Sequence, residues 1–241
     1  EISFQEYKVG NRIVKNIIAS KRGSHYPEEI VVIGANYDTC GNPGADDNAS
    51  GIAGLLELAR IFSKEPLQRT IEFVAFVNEE PPFFQTQDMG SLVFASWARK
   101  ENKSIKAAIV LETIGFYSNK YFSQRYPPLL GFFYPNKGNY IAVIGNFKSA
   151  LLVRQVVKSF RRKTSFPISS LTFDFLPATS FSDHWSFWQN GYPAVMITDT
   201  AFLRNFNYHQ NSDTYEKLNY EYMAYVLSGL ENTIKTLAQE K

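Results

Sequence analysis

The stretch Ile-Val-Val-Ile-Gly-Ala at residues 30–35 is apolar throughout and rich in β-branched side chains. A run of this kind is typical of a strand that is buried on both faces of a sheet. A loop rich in Gly, Pro and Asp follows, and from about Ser50 apolar residues recur at helical spacing, at Ile52, Leu55, Leu56 and Ala59. A buried strand that leads through a polar loop into an amphipathic helix is typical of α/β folds.

The same order recurs along the chain. Further strands are predicted at residues 2–9, 71–77, 107–113, 141–144 and 194–198. Helices are predicted from about residue 90, around residues 153–160, and over a last stretch with an apolar stripe at residues 223–234. We therefore predict an α/β fold, a single domain over residues 1–241 with a central mixed, mostly parallel β-sheet flanked by helices on both faces.

Composition excludes several classes of function. The net charge is only +2, and no block of like charge is longer than Arg161-Arg162-Lys163, so nucleic acid is not an expected partner. The longest apolar runs are too short to span a membrane, and a single cysteine, Cys40, allows no internal disulfide. The chain opens inside a predicted strand, which is compatible with a preceding segment. Neither the compartment nor the oligomeric state follows from the sequence.

Polar residues cluster where the predicted strands end, which is where open α/β sheets bind their ligands. Carboxylates that converge on one sheet edge repel one another unless a cation lies among them. Carboxylates combined with imidazole suit zinc, manganese or cobalt. The cluster comprises Asn36, Asp38, Asp46, Asp47, Asn48, Glu79, Glu80, Glu112, His209 and Asp213.

Each of these residues also has a purely structural interpretation. Residues 46–50 are compatible with a turn and a helix N-cap. Glu79 and Glu80 are compatible with a solvated loop, and a single histidine is more often structural than a metal ligand. One acidic group at every strand end, together with a late histidine, favours the metal site over these separate interpretations.

Six segments in order resemble the motifs of M28 metallopeptidases, over roughly residues 30 to 220. The resemblance implies the mixed-sheet fold of zinc aminopeptidases, which is phosphorylase/hydrolase-like, and the hydrolysis of peptides that have a free N-terminus. The segments are VVIGANYDT at 31–39, PGADDNASG at 43–51, AFVNEE at 75–80, LETIG at 111–115, SDHW at 182–185 and YHQNSDT at 208–214.

The resemblance also implies two zinc ions that share one carboxylate. Asp47 would be the shared ligand, Glu80 and His209 would complete one site, and Glu112 and residue 36 would complete the other. The family has His at position 36, whereas this chain has Asn36. Because a carboxamide binds metal only weakly and through its oxygen, we expect this second site to be weak and the site of Asp47, Glu80 and His209 to be the better occupied.

Two further roles follow from the resemblance. Glu79 would be the general base that takes a proton from the attacking water and passes it to the leaving amine. Asp38 would be the carboxylate that orients the side chain at position 36.

The substrate pocket is less clearly marked. Adjacent residues do not readily form a catalytic triad, so Ser182-Asp183-His184 is interpreted as a helix N-cap at Ser182 or Asp183, with His184 near the pocket rim. Phe83 and Phe84, in the segment Pro-Pro-Phe-Phe at 81–84, are candidates for an apolar wall of the pocket, and Tyr208 is another. Core packing beneath the loop is the competing interpretation of the two phenylalanines.

Three functions remain open at this point. The first is a zinc aminopeptidase with one or two ions, whose activity is reduced by Asn36. The second is a single-zinc acyltransferase of the glutaminyl cyclase type, a group that also carries a longer segment after the paired glutamates. The third is a catalytically impaired homologue that binds peptides, against which the retention of Glu79 speaks. M28 proteins are often exported, so the resemblance is compatible with a periplasmic or secreted protein.

Overall fold

One eight-stranded sheet runs through the protein. The computed structural model describes residues 1–127, 130–174 and 176–239. Within these residues the strands are β1 (Ile2–Val9), β2 (Arg12–Lys21), β3 (Tyr26–Asn36), β4 (Arg69–Phe76), β5 (Ser104–Glu112), β6 (Ile141–Gly145), β7 (Ile168–Thr172) and β8 (Ala194–Thr198). The α-helices are α1 (Gly51–Phe62), α2 (Gly90–Lys100), α3 (Ala150–Lys163), α4 (His184–Gln189) and α5 (Tyr220–Gln239).

The strand order is β1-β2-β4-β3-β5-β8-β6-β7. The four central strands β4, β3, β5 and β8 are mutually parallel, and β6 and β7 are parallel to each other. The pairings β1–β2, β2–β4 and β8–β6 are antiparallel. This mixed sheet confirms the fold class predicted from the sequence.

Two strands, β2 and β7, were absent from the sequence prediction. β2 alternates exposed and buried side chains only in part, because it lies near the edge of the sheet. It pairs with β1 through a two-residue turn at Gly10 and Asn11, with Val9 opposite Arg12. A Gly-Asn dipeptide between two apolar runs is a recognised hairpin signal, and it would have located this strand.

The central strands are apolar throughout because both faces of the sheet are covered. Successive strand residues point to opposite faces. On β3, Val31 and Ile33 belong to the core formed with α1, α3 and α5, whereas Val32 belongs to the core on the other face, with α2 and α4. A polar side chain would be costly on either face, which explains the unbroken run at residues 30–35.

The parallel arrangement brings the polar ends of the strands together. β3, β4 and β5 are neighbours and run in the same direction, so the residues after Asn36, Phe76 and Glu112 meet at one edge of the sheet. This edge carries the predicted site. Among the described residues, no helix combines the length and the apolar character that crossing a bilayer requires.

Candidate metal centre

The loop after β3 is held in place by Asp213, which lies far along the chain. Its carboxylate accepts hydrogen bonds from the backbone N–H of Asp46, at 3.1 and 3.2 Å, and of Asp47, at 3.1 Å. Gly44, which precedes these residues, has a φ of 60°, a left-handed conformation that glycine adopts without steric cost. These contacts fix the direction from which the Asp47 side chain enters the site.

Three of the predicted metal ligands lie together. His209 Nε2 lies 2.9 Å from Asp47 Oδ2 and 3.3 Å from Glu80 Oε2. The side chains of Asp47 and Glu80 are only 4% and 5% exposed, and the Tyr208 ring stacks on the His209 imidazole at a centroid distance of 3.9 Å. The contacts with Asp47 and then Glu80 raise the pKa of His209 to about 10.

The donor atoms of this group fit a zinc ion. Among the described residues, Glu80 Oε1 is buried and has no hydrogen-bond partner, and the buried Asp47 Oδ2 and His209 Nε2 make no hydrogen bond of acceptable geometry although they face each other at 2.9 Å. Buried polar atoms in native proteins nearly always have one, and buried carboxylates need a compensating cation. Two carboxylates and an imidazole are ligands that zinc takes.

Glu79 and Glu112 are buried at the same sheet edge. Ser182 Oγ donates a hydrogen bond of 2.6 Å to Glu112 Oε2. Burial raises the pKa of both glutamates well above the usual range, and neighbouring carboxylates raise it further, Asp183 foremost for Glu79 and Asp47 foremost for Glu112. A carboxyl group whose pKa is raised is a stronger base than an ordinary carboxylate, which suits it to proton transfer.

Asn36 is fully buried and takes part in a protein network. Its Oδ1 accepts a hydrogen bond of 2.5 Å from Asn48 Nδ2, which also donates to the carbonyl of Leu111 at 2.8 Å. The oxygen is the only carboxamide atom that binds a metal, and here it is engaged with Asn48. The structure thus places Asn36 at the predicted position, with its donor atom directed to a neighbouring side chain.

Asp38 fastens two of the loops to each other. Its Oδ1 and Oδ2 accept hydrogen bonds from the backbone N–H of Glu79, at 3.2 Å, and of Glu80, at 3.1 Å. Its contact with Asn36 runs from Asn36 Nδ2 to the Asp38 backbone carbonyl, at 3.4 Å. Asp38 therefore holds the backbone of the paired glutamates, a role that the sequence did not indicate.

An apolar cavity of about 110 Å³ lies beside Glu112. On β6, Ile141 and Val143 pack into the core with α3, so Ala142 and Ile144 point to the other face and line the cavity. Further apolar and aromatic walls come from Tyr134, Tyr140, Met196, Phe202 and Tyr208. The cavity approaches the volume of about 150 Å³ that holds a benzene ring in an engineered protein cavity.

The residues predicted for the substrate pocket lie in different places. Tyr208 lines the cavity. Phe83 and Phe84 are half-buried and outside its lining, although the Phe84 ring packs against Phe181, which does line it, at 5.9 Å. His184 is fully buried and lies outside the lining, with its Nε2 2.8 Å from the Thr179 carbonyl.

The family assignment follows from comparison with known proteins. The family model described as Peptidase family M28 matches residues 16–232. The chain belongs to peptidase family M28. The sequence prediction of this family is therefore confirmed.

This M28 chain is similar to several curated proteins. It is 40% identical over 240 residues to Uncharacterized protein YfbL of Escherichia coli (strain K12). The aligned region covers 95% of this chain and 73% of that protein. It is 24% identical over 224 residues to Probable aminopeptidase YDR415C of Saccharomyces cerevisiae. The aligned region covers 87% of this chain and 53% of that protein.

Solved structures share the fold. BSAP, a zinc aminopeptidase from Bacillus subtilis, superimposes with a TM-score of 0.75 at 22% identity, over 96% of this chain and 52% of that one. The glutaminyl cyclase from Fimbriiglobus ruber superimposes with a TM-score of 0.71 at 20% identity, over 98% of this chain and 81% of that one. The M28 chain thus spans about half the length of the B. subtilis and yeast relatives.

Asp183 is a residue of the M28 site whose position the sequence did not reveal. It immediately precedes α4, as the N-cap prediction required, but neither Ser182 nor Asp183 makes a side-chain capping bond. The Asp183 carboxylate is fully buried, neither oxygen has a hydrogen-bond partner among the described residues, and its charge raises the pKa of Glu79. Its local sequence is compatible with an ordinary helix start, so the sequence offered no signal for this electrostatic effect on Glu79.

Proposed function

We propose that this chain is a zinc-dependent aminopeptidase that uses Glu79 as its general base. The observation that carries the proposal is the convergence of Asp47, Glu80 and His209, whose buried metal-binding atoms face one another without well-formed hydrogen bonds, beside the buried Glu79. Membership of peptidase family M28 supports hydrolysis of peptide bonds.

Asp47, Glu80 and His209 would hold the better-occupied zinc ion. A zinc ion bound there supplies a Lewis acid that polarises a peptide carbonyl and lowers the pKa of water. Three protein ligands leave room in a tetrahedral shell. The Asp213 carboxylate and the stacked Tyr208 ring keep Asp47 and His209 oriented for this role.

Glu79 moves the proton. Its raised pKa, caused by burial and then by Asp183 and Glu80, brings it closer to the working range of a general base. It accepts a proton from the attacking water as the carbon–oxygen bond forms, and it delivers that proton to the amine nitrogen as the peptide bond breaks. The N–H groups of Glu79 and Glu80 are bonded to Asp38, which holds this residue in place.

Glu112 and the apolar cavity select the substrate. Glu112 lines the cavity together with Tyr208, so a carboxylate adjoins an apolar space. In the one-zinc form of the protein, where the second site is empty and Glu112 holds no ion, a free N-terminal ammonium group pairs with this carboxylate, and the side chain of the same residue then enters the cavity. Peptides that begin with an apolar residue are the substrates that this arrangement favours.

The decisive assay compares two anilides. Leucyl-4-nitroanilide should be hydrolysed in the presence of zinc, whereas N-acetyl-leucyl-4-nitroanilide, which lacks the ammonium group, should not. Equal hydrolysis of both compounds would contradict an aminopeptidase, and hydrolysis of neither by the zinc-loaded protein would contradict a peptidase of this specificity.

A glutaminyl cyclase is the second candidate. The specific observation in its favour is that three ligands for one zinc ion are free, while Asn36 is bonded to Asn48. The fold shared with the F. ruber glutaminyl cyclase is compatible with it. A peptide with N-terminal glutamine separates the two candidates, because a cyclase releases ammonia and an aminopeptidase releases free glutamine.

A further inference from the structure

The single cysteine of the chain lies beside the candidate zinc ligands. The Cys40 sulfur, a carboxylate oxygen of Glu80 and a ring nitrogen of His209 all lie within 4.8 Å of one another. Cys40 is exposed, so it is accessible from solvent. The M28 motifs assign ligand roles to Glu80 and His209 and none to residue 40.

The residues that face Cys40 have metal-binding atoms that make no well-formed hydrogen bond. The Glu80 side chain is 5% exposed, and its Oε1 has no hydrogen-bond partner among the described residues. Over the same part of the chain, His209 Nε2 makes no hydrogen bond of acceptable geometry and only faces oxygens of Asp47 and Glu80, at 2.9 and 3.3 Å. Buried atoms of this kind are stabilised by a cation. The Cys40 sulfur therefore lies next to two residues, Glu80 and His209, that are arranged to bind a metal ion.

Hydrogen bonds hold Cys40 in this position from both sides. On one side, Asp38 accepts bonds from the backbone of Glu80 at 3.1 Å, which ties the Cys40 loop to the loop after β4. On the other side, Asn42 Nδ2 donates to the carbonyl of Gln210 at 3.3 Å, which ties the same loop to the segment that carries His209. The close approach of Cys40 to both ligands therefore follows from fastened loops.

We propose that Cys40 is a thiolate ligand of the same metal ion that Asp47, Glu80 and His209 hold. This inference rests on the proposed zinc site. On binding, the thiol releases its proton to solvent and the sulfur donates an electron pair to the metal. Thiolate is a soft ligand that suits zinc and cobalt better than magnesium or manganese, and a fourth protein ligand strengthens the binding of this ion. Zinc can expand to five ligands, which leaves a position for water.

Cobalt(II) gives a readout that does not depend on activity. The chain has one cysteine, so any near-ultraviolet thiolate-to-cobalt charge-transfer band must arise from Cys40. Chelator-treated protein that receives one equivalent of cobalt should show this band, and Cys40→Ser should lose it while keeping the visible bands of bound cobalt. Zinc affinity of Cys40→Ser should fall by about tenfold or more, since even indirect supports of a metal ligand are worth that much. His209→Ala is the matched control, because it removes a different ligand and keeps the thiol.

A second measurement needs no variant. Zinc should slow the reaction of the Cys40 thiol in the unmodified protein with a disulfide reagent by at least about tenfold, because the coordinated sulfur is no longer free. Zinc that binds without the sulfur would neutralise the neighbouring carboxylates, favour the thiolate and speed the same reaction. The two outcomes have opposite signs.

The results separate this inference from the proposed function. Tight binding of zinc with no charge-transfer band and an unchanged or faster thiol reaction would overturn the role of Cys40 and leave the zinc site intact. If neither zinc nor cobalt binds, the zinc site itself is refuted and the inference falls with it.

Discussion

Asn48 donates a hydrogen bond of 2.5 Å from its Nδ2 to the Oδ1 of Asn36. Asn48 is fixed in turn, because its Nδ2 also bonds the Leu111 carbonyl and its Oδ1 accepts the backbone N–H of Thr113 at 3.0 Å. A residue that stands where M28 peptidases have a histidine is thereby turned into part of a structural network. Under the proposed function, the absence of a metal ligand at position 36 and the order of this network both follow from the asparagine there.

Restoring histidine at position 36 should restore the second metal site. We expect Asn36→His to raise bound zinc from about one to about two ions per chain, since two-metal sites need both sets of ligands. Hydrolysis of leucyl-4-nitroanilide should rise by at least about tenfold, because single electrostatic contacts to a transition state are worth that or more. Elemental analysis measures the bound zinc, and initial rates measure the hydrolysis.

Asn36→Gln is the control for this experiment. It keeps a carboxamide at the position and should hold about one zinc ion, as three ligands and an open shell allow. If the unmodified protein and Asn36→His both bound two ions and had equal activity, the carboxamide would be an adequate ligand, and our account of Asn36 would be wrong.

Glu79→Gln should abolish most of the activity without loss of metal. The amide cannot accept the proton from water, and general-base catalysis contributes about 10²- to 10⁴-fold. The turnover number should fall by that factor while zinc content stays constant. Glu57→Gln is a suitable control, because Glu57 pairs with Arg60 on the surface. A fully active Glu79→Gln variant would move the role of base to another residue, with Asp183 the first to examine.

Asp213→Ala should weaken zinc binding although Asp213 is not a ligand. It removes the acceptor of the Asp46 and Asp47 N–H groups, and supports of this kind are worth about 10- to 100-fold in metal affinity. The free energy of unfolding of the metal-free variant should also fall by about 1–3 kcal/mol, which is the cost of leaving buried N–H donors unpaired. Asp213→Asn, which keeps one acceptor oxygen, should lose less on both measurements. Unchanged zinc affinity in Asp213→Ala would show that the loop holds Asp47 without this carboxylate.

Zinc affinity should rise with pH. In the metal-free protein the contacts with Asp47 and Glu80 raise the pKa of His209 to about 10, so zinc must displace a proton at any lower pH. The apparent affinity should increase by about tenfold per pH unit for each proton displaced, between about pH 6 and pH 9. Competition with a chelator of known affinity measures this dependence.

The stability of the metal-free protein should fall as the pH rises, whereas zinc affinity increases. The folded-state pKa of His209 lies above its unfolded value of about 6.5, so its contribution is complete below that pH and is lost as the pH rises towards about 10. The raised pKa values of Glu79 and Glu112 act in the same sense. The rise in thermal midpoint on adding zinc should therefore grow with pH, and a rise that shrank with pH would contradict a protonated His209 in the metal-free site.

Filling the cavity should change substrate preference. Ala142 faces the cavity from β6, and Ala142→Leu takes up space that a substrate side chain needs. We expect kcat/KM for leucyl-4-nitroanilide to fall by about tenfold or more, in line with about 1–3 kcal/mol for misfit in an apolar pocket. Alanyl-4-nitroanilide serves as the internal control and should be affected much less. A parallel loss for both substrates would mean that the cavity does not receive the N-terminal side chain.

The sequence by itself determined the fold class and the identity of the central acidic residues. Local patterns suffice for both, because a strand buried on both faces needs an unbroken apolar run, as at residues 30–35. A parallel sheet then brings the ends of such strands to one edge. The order of the M28 motifs therefore located Asp47, Glu80 and His209 before any distance was known, and the structure places them in contact.

Only the tertiary structure decided how residues far apart in the chain meet. The bond between Asn36 and Asn48, the proximity of Asp183 to Glu79 and the approach of Cys40 to His209 all depend on how loops close on one another. The cavity beside Glu112 is likewise built from β6, β8 and the segments around them. Sequence patterns report which side chains a strand or helix buries, whereas contacts between loops depend on backbone geometry and on hydrogen bonds between distant residues. For that reason the sequence predicted a set of ligands, and the fold determined how their metal-binding atoms face one another.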